Sequence, residues 1–236
     1  LMFFKWKSLA QDVNLGEDIK PYKKAFNNYK LKMPDFKATP NNDDIRIFVK
    51  VYNKKSAIAA DNAKADVIYY DLLKDDVNEV RNLVRNAKFF VYTPWVSSDE
   101  DLHKLANKIK ELNPDGVLVG NRSLMRFIEN REMHLDYSFN IFNDWDIAAY
   151  KEIPIISPEL SVDEILSLKN KNFIVQVHGD IVLMTTKQPM AAPELVDKEN
   201  RHFRVREYNG LYQVLNSKQL GLFSKVKKYT DNGIKY

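Results

Sequence analysis

The stretch His134–Asn140 carries the densest polar chemistry in the chain. Read as a strand it alternates, with Leu135, Tyr137 and Phe139 on one face and His134, Asp136, Ser138 and Asn140 on the other. An unpaired polar group inside a protein costs on the order of 2 kcal/mol or more, so four on one face require a hydrogen-bonded network, a wet cavity or a ligand. The same alternation sets Ser157 and Glu159 together after Ile155, and Gln176 and His178 together after Ile174. Three successive strands then end in polar groups on a common face. A carboxylate and an imidazole together supply general acid–base chemistry near neutral pH, while Asn side chains orient a substrate carbonyl or hydroxyl. Glu159 and His178 are the candidate catalytic pair, with Asp136, Asn140, Asn143, Ser157 and Trp95 as candidate substrate-binding residues. Plainer roles compete with these. Glu159 can serve as a helix-start carboxylate ahead of Ser161, His178 can simply end a strand before Gly179, and Trp95 can cover the core.

Other chemistries lack their motifs. HExxH, a Walker loop, GxSxG and GxGxxG are all missing, and 7 glycines leave little backbone for a phosphate cradle. With no cysteine the chain has no thiol nucleophile, no disulfide scaffold, no zinc ribbon and no thiolate to ligate an iron–sulfur cluster. No metal and no cofactor is expected in this chain.

The elements that must position these residues follow from the hydrophobic pattern. From residue 45, short β-branched or aromatic runs alternate with amphipathic stretches in the rhythm of βα units. The expected strands are Ile45–Val51, Asp66–Asp71, Lys88–Thr93, Gly116–Gly120, His134–Asn140, Ile153–Ser157, Phe173–His178 and Ile181–Thr185. Between them Ser97-Ser98-Asp99-Glu100 and Ser161-Val162-Asp163-Glu164 read as capping boxes. Leu102, Leu105, Ile109 and Leu112 form one apolar stripe after the first. Eight strands fit an α/β fold of TIM-type (β/α)8-like barrel, although an open doubly wound sheet has the same local pattern. In a barrel the candidate residues occupy the carboxyl ends of the strands, where such folds do chemistry.

The flanks differ from this middle. Residues 1–44 read as an N-terminal lead-in and linker, 45–190 as the barrel domain, and 191–236 as a C-terminal β appendage. That appendage holds a hairpin through Asn209-Gly210, a pair suited to a type I′ turn. Residues 1–58 carry 12 Lys/Arg against 6 Asp/Glu, residues 59–195 carry 15 against 22, and residues 196–236 carry 9 against 4. Two basic flanks suit an anionic partner such as RNA, and solvated lysines explain them as well. No run approaches the roughly 20 apolar residues of a membrane span, and Leu1-Met2-Phe3-Phe4-Lys5-Trp6 lacks the form of a secretory signal. A cytoplasmic protein with no membrane partner is expected.

Four segments in register resemble a known family. Asp115-Gly116-Val117-Leu118-Val119-Gly120, the run from His134 to Asn143, Ser157-Pro158-Glu159-Leu160-Ser161 and Val177-His178-Gly179 are similar in order and spacing to the collagenase-like peptidases, peptidase U family 32. Ala65-Asp66-Val67-Ile68-Tyr69-Tyr70 resembles an early strand of that family, and the match runs from about residue 45 to about 190. The resemblance implies an eight-stranded barrel and places Asn140, Asn143, Glu159 and His178 at motif positions. It also implies a late barrel of a longer polypeptide, with a further barrel upstream. Some relatives act in hydroxylation of RNA bases or quinone precursors, commonly with cysteine-bound iron–sulfur clusters. Here the sequence departs. Asp180 to Pro189 holds no cysteine where the family places them, and Gln176 stands where it has Glu.

Two functions follow as expectations. One is a hydrolase of collagenase-like peptidase type, acting with Glu159 and His178 on a peptide or other polar substrate. The other is a noncatalytic or accessory barrel of a hydroxylation enzyme acting on RNA or a small molecule, its cluster-binding cysteines lying on another domain or chain. Either way, protein purified without oxygen is expected to contain no stoichiometric iron or labile sulfide, and a broad visible absorption would overturn this.

Overall fold

The computed structural model describes residues 44–128 and 130–236, so the lead-in expected over residues 1–44 falls almost wholly outside the described residues. Six short strands, β1 (Phe48–Lys50), β2 (Val67–Asp71), β3 (Lys88–Tyr92), β4 (Gly116–Val119), β5 (Glu132–Leu135) and β6 (Ile153–Pro154), pair in parallel in chain order. A parallel bridge from Ile155 to Ile174 adds a seventh segment. Helices α1 (Lys54–Asn62), α2 (Val77–Leu83) and α3 (Asp99–Leu112) make the return crossings. Every residue of β2 is buried, as a parallel strand covered on both faces requires. On the outer face Ile68, Val91, Val117 and Val119 share a core with the expected α3 stripe of Leu102, Leu105, Ile109 and Leu112. The box that starts α3 sits one residue later than the sequence suggests, because Ser98 caps and Asp101, not Glu100, reaches back to its N–H. Ser161 and Glu164 form the expected box ahead of α5 (Val162–Ser167).

Curvature of the sheet follows from two cross-contacts. Strands β1 and β5 are four places apart, about 19 Å in a flat sheet. Yet the Phe48 and His134 rings stack with centroids 5.3 Å apart, and Lys50 Nζ lies 3.1 Å from Asp136 Oδ2. The sheet therefore curls into a half-barrel whose interior is packed by Val67, Tyr69, Phe90, Leu118, Ile155 and Ile174. Arg46 N donates to Lys235 O at 2.8 Å and Val175 N to Tyr236 O at 3.1 Å, which sets the last residues between β1 and the Ile174 segment. A third core gathers Ile147 of α4 (Asp144–Ala148), Ile165 of α5 and Tyr229 of α6 (Val226–Asp231) with Ile156, Phe173 and Ile234.

Three expected strands change character. His134–Asn140 stays extended only as far as Leu135. There the Asp136 carboxylate accepts from Tyr137 N and starts a 3-10 turn over Tyr137–Phe139, which Asn140 ends in the left-handed region at φ 52°. Asp and Asn offer the backbone local side-chain bonds and tolerate αL, so the pair outcompetes a strand that pattern alone favours. Phe173–His178 pairs in parallel only at Ile174, and His178–Gly179 instead forms β7, antiparallel to β12 (Leu220–Gly221). Ile181–Thr185 is no barrel strand. It appears as β8 (Val182–Thr186) at the edge of an antiparallel sheet ordered β8, β11 (Leu211–Leu215), β10 (His202–Tyr208), β9 (Glu194–Val196). The β appendage thus begins by pairing before the expected boundary at residue 191.

The appendage hairpin has the expected turn. Asn209 and Gly210 have φ of 52° and 69°, both positive as type I′ requires, between the paired residues Tyr208 and Leu211. Its sheet covers the carboxyl end of the half-barrel. Tyr208 OH donates to Asp71 Oδ1 at 3.2 Å, Val182 N donates to Tyr137 OH at 3.1 Å, and the Arg206 guanidinium sits 5.2 Å from the Tyr52 ring centre. Among the described residues no helix is long and apolar enough to cross a membrane.

One buried imidazole makes the half-barrel sensitive to acid. His134, 1% exposed, takes a 2.6 Å contact from Tyr69 OH at Nδ1 and stacks on Phe48, with Phe90 also against its ring. Its Nε2 lies 3.4 Å from Glu132 Oε1, too poorly aligned for a full hydrogen bond. Burial holds the imidazole below its ordinary value of 6.5 despite that carboxylate. Glu132 is pushed down to about 2 from 4.5, first by His134 and further by Lys88, against the cost of its own burial. Below about pH 6.5 the unfolded imidazole binds a proton that the folded one refuses, and below 4.5 the unfolded carboxylate does the same. Stability is therefore full above pH 6.5 and falls as pH drops. In thermal melts, His134→Gln is expected to lose the dependence between pH 6.5 and 5 and to keep only the part below 4.5 that Lys88 sustains at Glu132.

Candidate functional site

Where β4, β5 and β6 end, the chain turns outward and leaves a cleft of about 870 Å³. Its inner wall is aromatic. Trp95, in the loop after β3, and Tyr137, in the turn after β5, meet edge to face at 4.8 Å and both line the cleft. Gly120 permits this approach, since a Cβ there would lie 2.5 Å from Thr93 O and 2.8 Å from the Trp95 ring. Behind the wall stands Asp136, 1% exposed, whose Oδ2 accepts from Trp95 Nε1 at 3.2 Å and from Lys50 Nζ at 3.1 Å. Its Oδ1 accepts from Tyr137 N at 2.7 Å. One carboxylate thereby sets both rings. Lys50 also lies over the Tyr92 ring at 4.4 Å, so its charge is shared between an anion and a π face.

The opposite side comes from the β6 exit and the appendage. Ser157 is buried and its Oγ accepts from Glu159 N at 3.4 Å, which folds the segment back and leaves Glu159 exposed in the cleft. Ser138 lines the cleft but spends its hydroxyl on Gly120 O at 2.8 Å. Arg122, at the start of the 3-10 turn Arg122–Phe127, and Lys218, in the loop after β11, add two exposed cations to the same cleft. Arg122 packs over the Tyr150 ring at 5.4 Å, and neither cation has a carboxylate partner among the described residues.

Of the seven candidate residues, Trp95, Asn140, Ser157 and Glu159 line the cleft, and Asp136 supports it from behind. Asn143 is instead the cap of α4, where its Oδ1 accepts from Trp145 N and Asp146 N. His178 is exposed on β7, paired with Gly221 and stacked on Phe223 at 5.0 Å, and does not line the cleft with Glu159. The strand alternation that put the two together fails because pairing with the parallel sheet stops at Ile174, and after an irregular stretch His178 pairs antiparallel with β12 instead. Sequence reasoning missed Arg122, Tyr150, Asn216 and Lys218. The signal available for the last two was the polar run Asn216-Ser217-Lys218-Gln219 directly after a strand. Among the described residues no three His, Asp or Glu side chains gather in a way that could hold a metal ion.

No protein-family profile and no curated protein matches the chain. Among solved structures it is similar to the 3,6-anhydro-D-galactonate cycloisomerase from Zobellia galactanivorans, at 8% identity over 78% of this chain and 66% of that one, with a TM-score of 0.39. It is likewise similar to a dipeptide epimerase from Methylococcus capsulatus, at 10% identity over 78% of this chain and 67% of that one, also with a TM-score of 0.39. The chain spans about two thirds of the length of each.

The two carboxylates are expected to respond differently to substitution. Asp136→Ala strips the acceptor from three donors and leaves Lys50 beside an apolar wall, costing about 2 to 4 kcal/mol, with part exposure of Lys50 keeping it from the top of that range. Glu159→Gln stays within about 0.5 kcal/mol of the parent, since its exposed carboxylate makes no hydrogen bond or ion pair among the described residues. Denaturant titrations of both variants check the contrast.

Proposed function

We propose that this chain is a ligand-holding barrel of the collagenase-like peptidase type, whose cleft binds a peptide or a similarly polar extended molecule without cleaving it. The observation that carries this reading is that, among the described residues, no imidazole lines the cleft with Glu159, while Arg122, Lys218 and the Trp95 wall surround the same space. Hydrolysis by an acid–base pair needs a second group within reach of the first, and His178 lies on β7 with its ring against Phe223. Binding needs only what the cleft offers: apolar ring faces, cations and amides around a space large enough for several residues. The half-barrel belongs, in the same proposal, to a closed ring, in which the Ile174 segment and the 234–236 tail serve as the seventh and eighth staves. Hydrogen bonds from both of its neighbours to that tail support this.

Gelatin-derived peptides provide the test. They are expected to change the fluorescence of the parent saturably, to leave a Trp95→Phe variant silent, and to be recovered uncut by mass spectrometry. Arg122→Ala combined with Lys218→Ala is expected to weaken binding about tenfold, or about 1.4 kcal/mol. Peptide cleavage that disappears in Glu159→Gln would restore the hydrolase reading, and no binding at all would remove the peptide.

A further inference from the structure

The antiparallel sheet has two edges, and they are treated differently. The β9 edge is Glu194–Val196, preceded by Pro193, followed by Asp197 and Lys198, with Glu194 paired to His202. Proline and charge are the ordinary means of keeping an edge strand from recruiting another chain. The β8 edge, with Lys187 directly after it and a register shift opposite Leu183, has neither within it: its sequence is Val-Leu-Met-Thr-Thr, and Leu183 and Met184 are 55% and 47% exposed. Among the described residues its outward backbone makes one bond, from Val182 N to the Tyr137 hydroxyl, a cleft-lining group. Ile181, Val182 and Leu183 also line the cleft, so this bare edge is one of its walls. A row of unpaired backbone groups beside a ligand-sized space is a template for strand addition, in which main-chain bonds supply affinity and flanking pockets take alternate side chains.

We propose that β8 accepts an extended peptide as a fifth strand, with an acidic side chain or the peptide's own carboxylate directed to Lys218 and Arg122. Charge selects this occupant, since among the described residues both cations on the cleft lack a carboxylate partner while Arg201, Arg204, Lys227 and Lys228 have theirs. This rests on the cleft being a peptide site and adds how the peptide lies in it.

The probe is an acetylated hexapeptide of alternating threonine and valine ending in glutamate, together with two versions N-methylated on alternate backbone nitrogens, one in each phase. By calorimetry the parent peptide is expected to bind. Methylation in one phase removes the bonds to β8 and weakens binding at least about tenfold, while methylation in the other phase leaves it nearly intact. Leu183→Lys, at an exposed position, is expected to lose about tenfold in affinity with an unchanged melting temperature, and β8 amides become protected from hydrogen exchange in the parent complex. Equal binding of all three peptides, with Leu183→Lys neutral, overturns strand addition and leaves the cleft as a peptide site. Failure of every peptide to bind overturns both. Concentration-dependent dimers that Leu183→Lys abolishes, in the absence of any peptide binding, give the edge to a second copy of this chain and overturn the proposal as well.

Discussion

A carboxylate withdrawn from water has to find its donors inside the fold, and Asp136 finds three of them on three different elements. Lys50 ends β1, Trp95 follows β3, and the Tyr137 N–H opens the turn after β5. These bonds fix the curl of the sheet where it leaves the core, because β1 and β5 must come together for Lys50 to arrive. They also fix the aromatic wall, because Trp95 and Tyr137 hang from the two oxygens of one group. Removing water from this ion pair costs more than a surface pair returns, and its geometry is what the fold obtains in exchange. The cleft is thus a consequence of how the interior is satisfied.

Above that point the appendage sheet seals the axis of the half-barrel. Tyr208 reaches down to Asp71, and its ring lies beside Tyr92 with centroids 6.4 Å apart. Asp71 also holds Leu73 N at 2.9 Å, so one inward carboxylate serves both the turn below and the cover above. The axis of the half-barrel is occupied by tyrosines, and open space lies to the side, toward Trp95 and Glu159. Access to the cleft is lateral.

Much of the parallel sheet was legible because its residues obey one rule each. The strands from Val67 to Val119 are continuous apolar runs, and the α3 stripe recurs at three and four, so local pattern and tertiary burial agree. Reading failed where two rules compete for the same residues. In His134–Asn140 alternation argued for a strand, while Asp136 and Asn140 had side chains able to bond their own backbone, and the local bonds prevailed. Val182–Thr186 looks like any buried strand by composition, yet parallel or antiparallel pairing depends on where β11 falls some 30 residues later, which no local pattern encodes. Four of the seven expected site residues still reach the cleft, since strand ends in this fold converge whatever their exact register. The Glu159 and His178 pairing needed that register and was lost with it.

The bonds from Arg46 to Lys235 and from Val175 to Tyr236 join positions almost the whole described chain apart. Until residues 235 and 236 leave the ribosome, β1 and the Ile174 segment each keep an unmet backbone donor. The half-barrel is then a curved sheet with two open flanks. Contacts of such sequence separation form late and slow folding, because the entropy of the intervening loop is lost before the contact returns anything. During synthesis the two flanks of the parallel sheet therefore stay unmet until the 235–236 segment arrives, and it is in that interval, more than in the folded state, that a chaperone would have work to do.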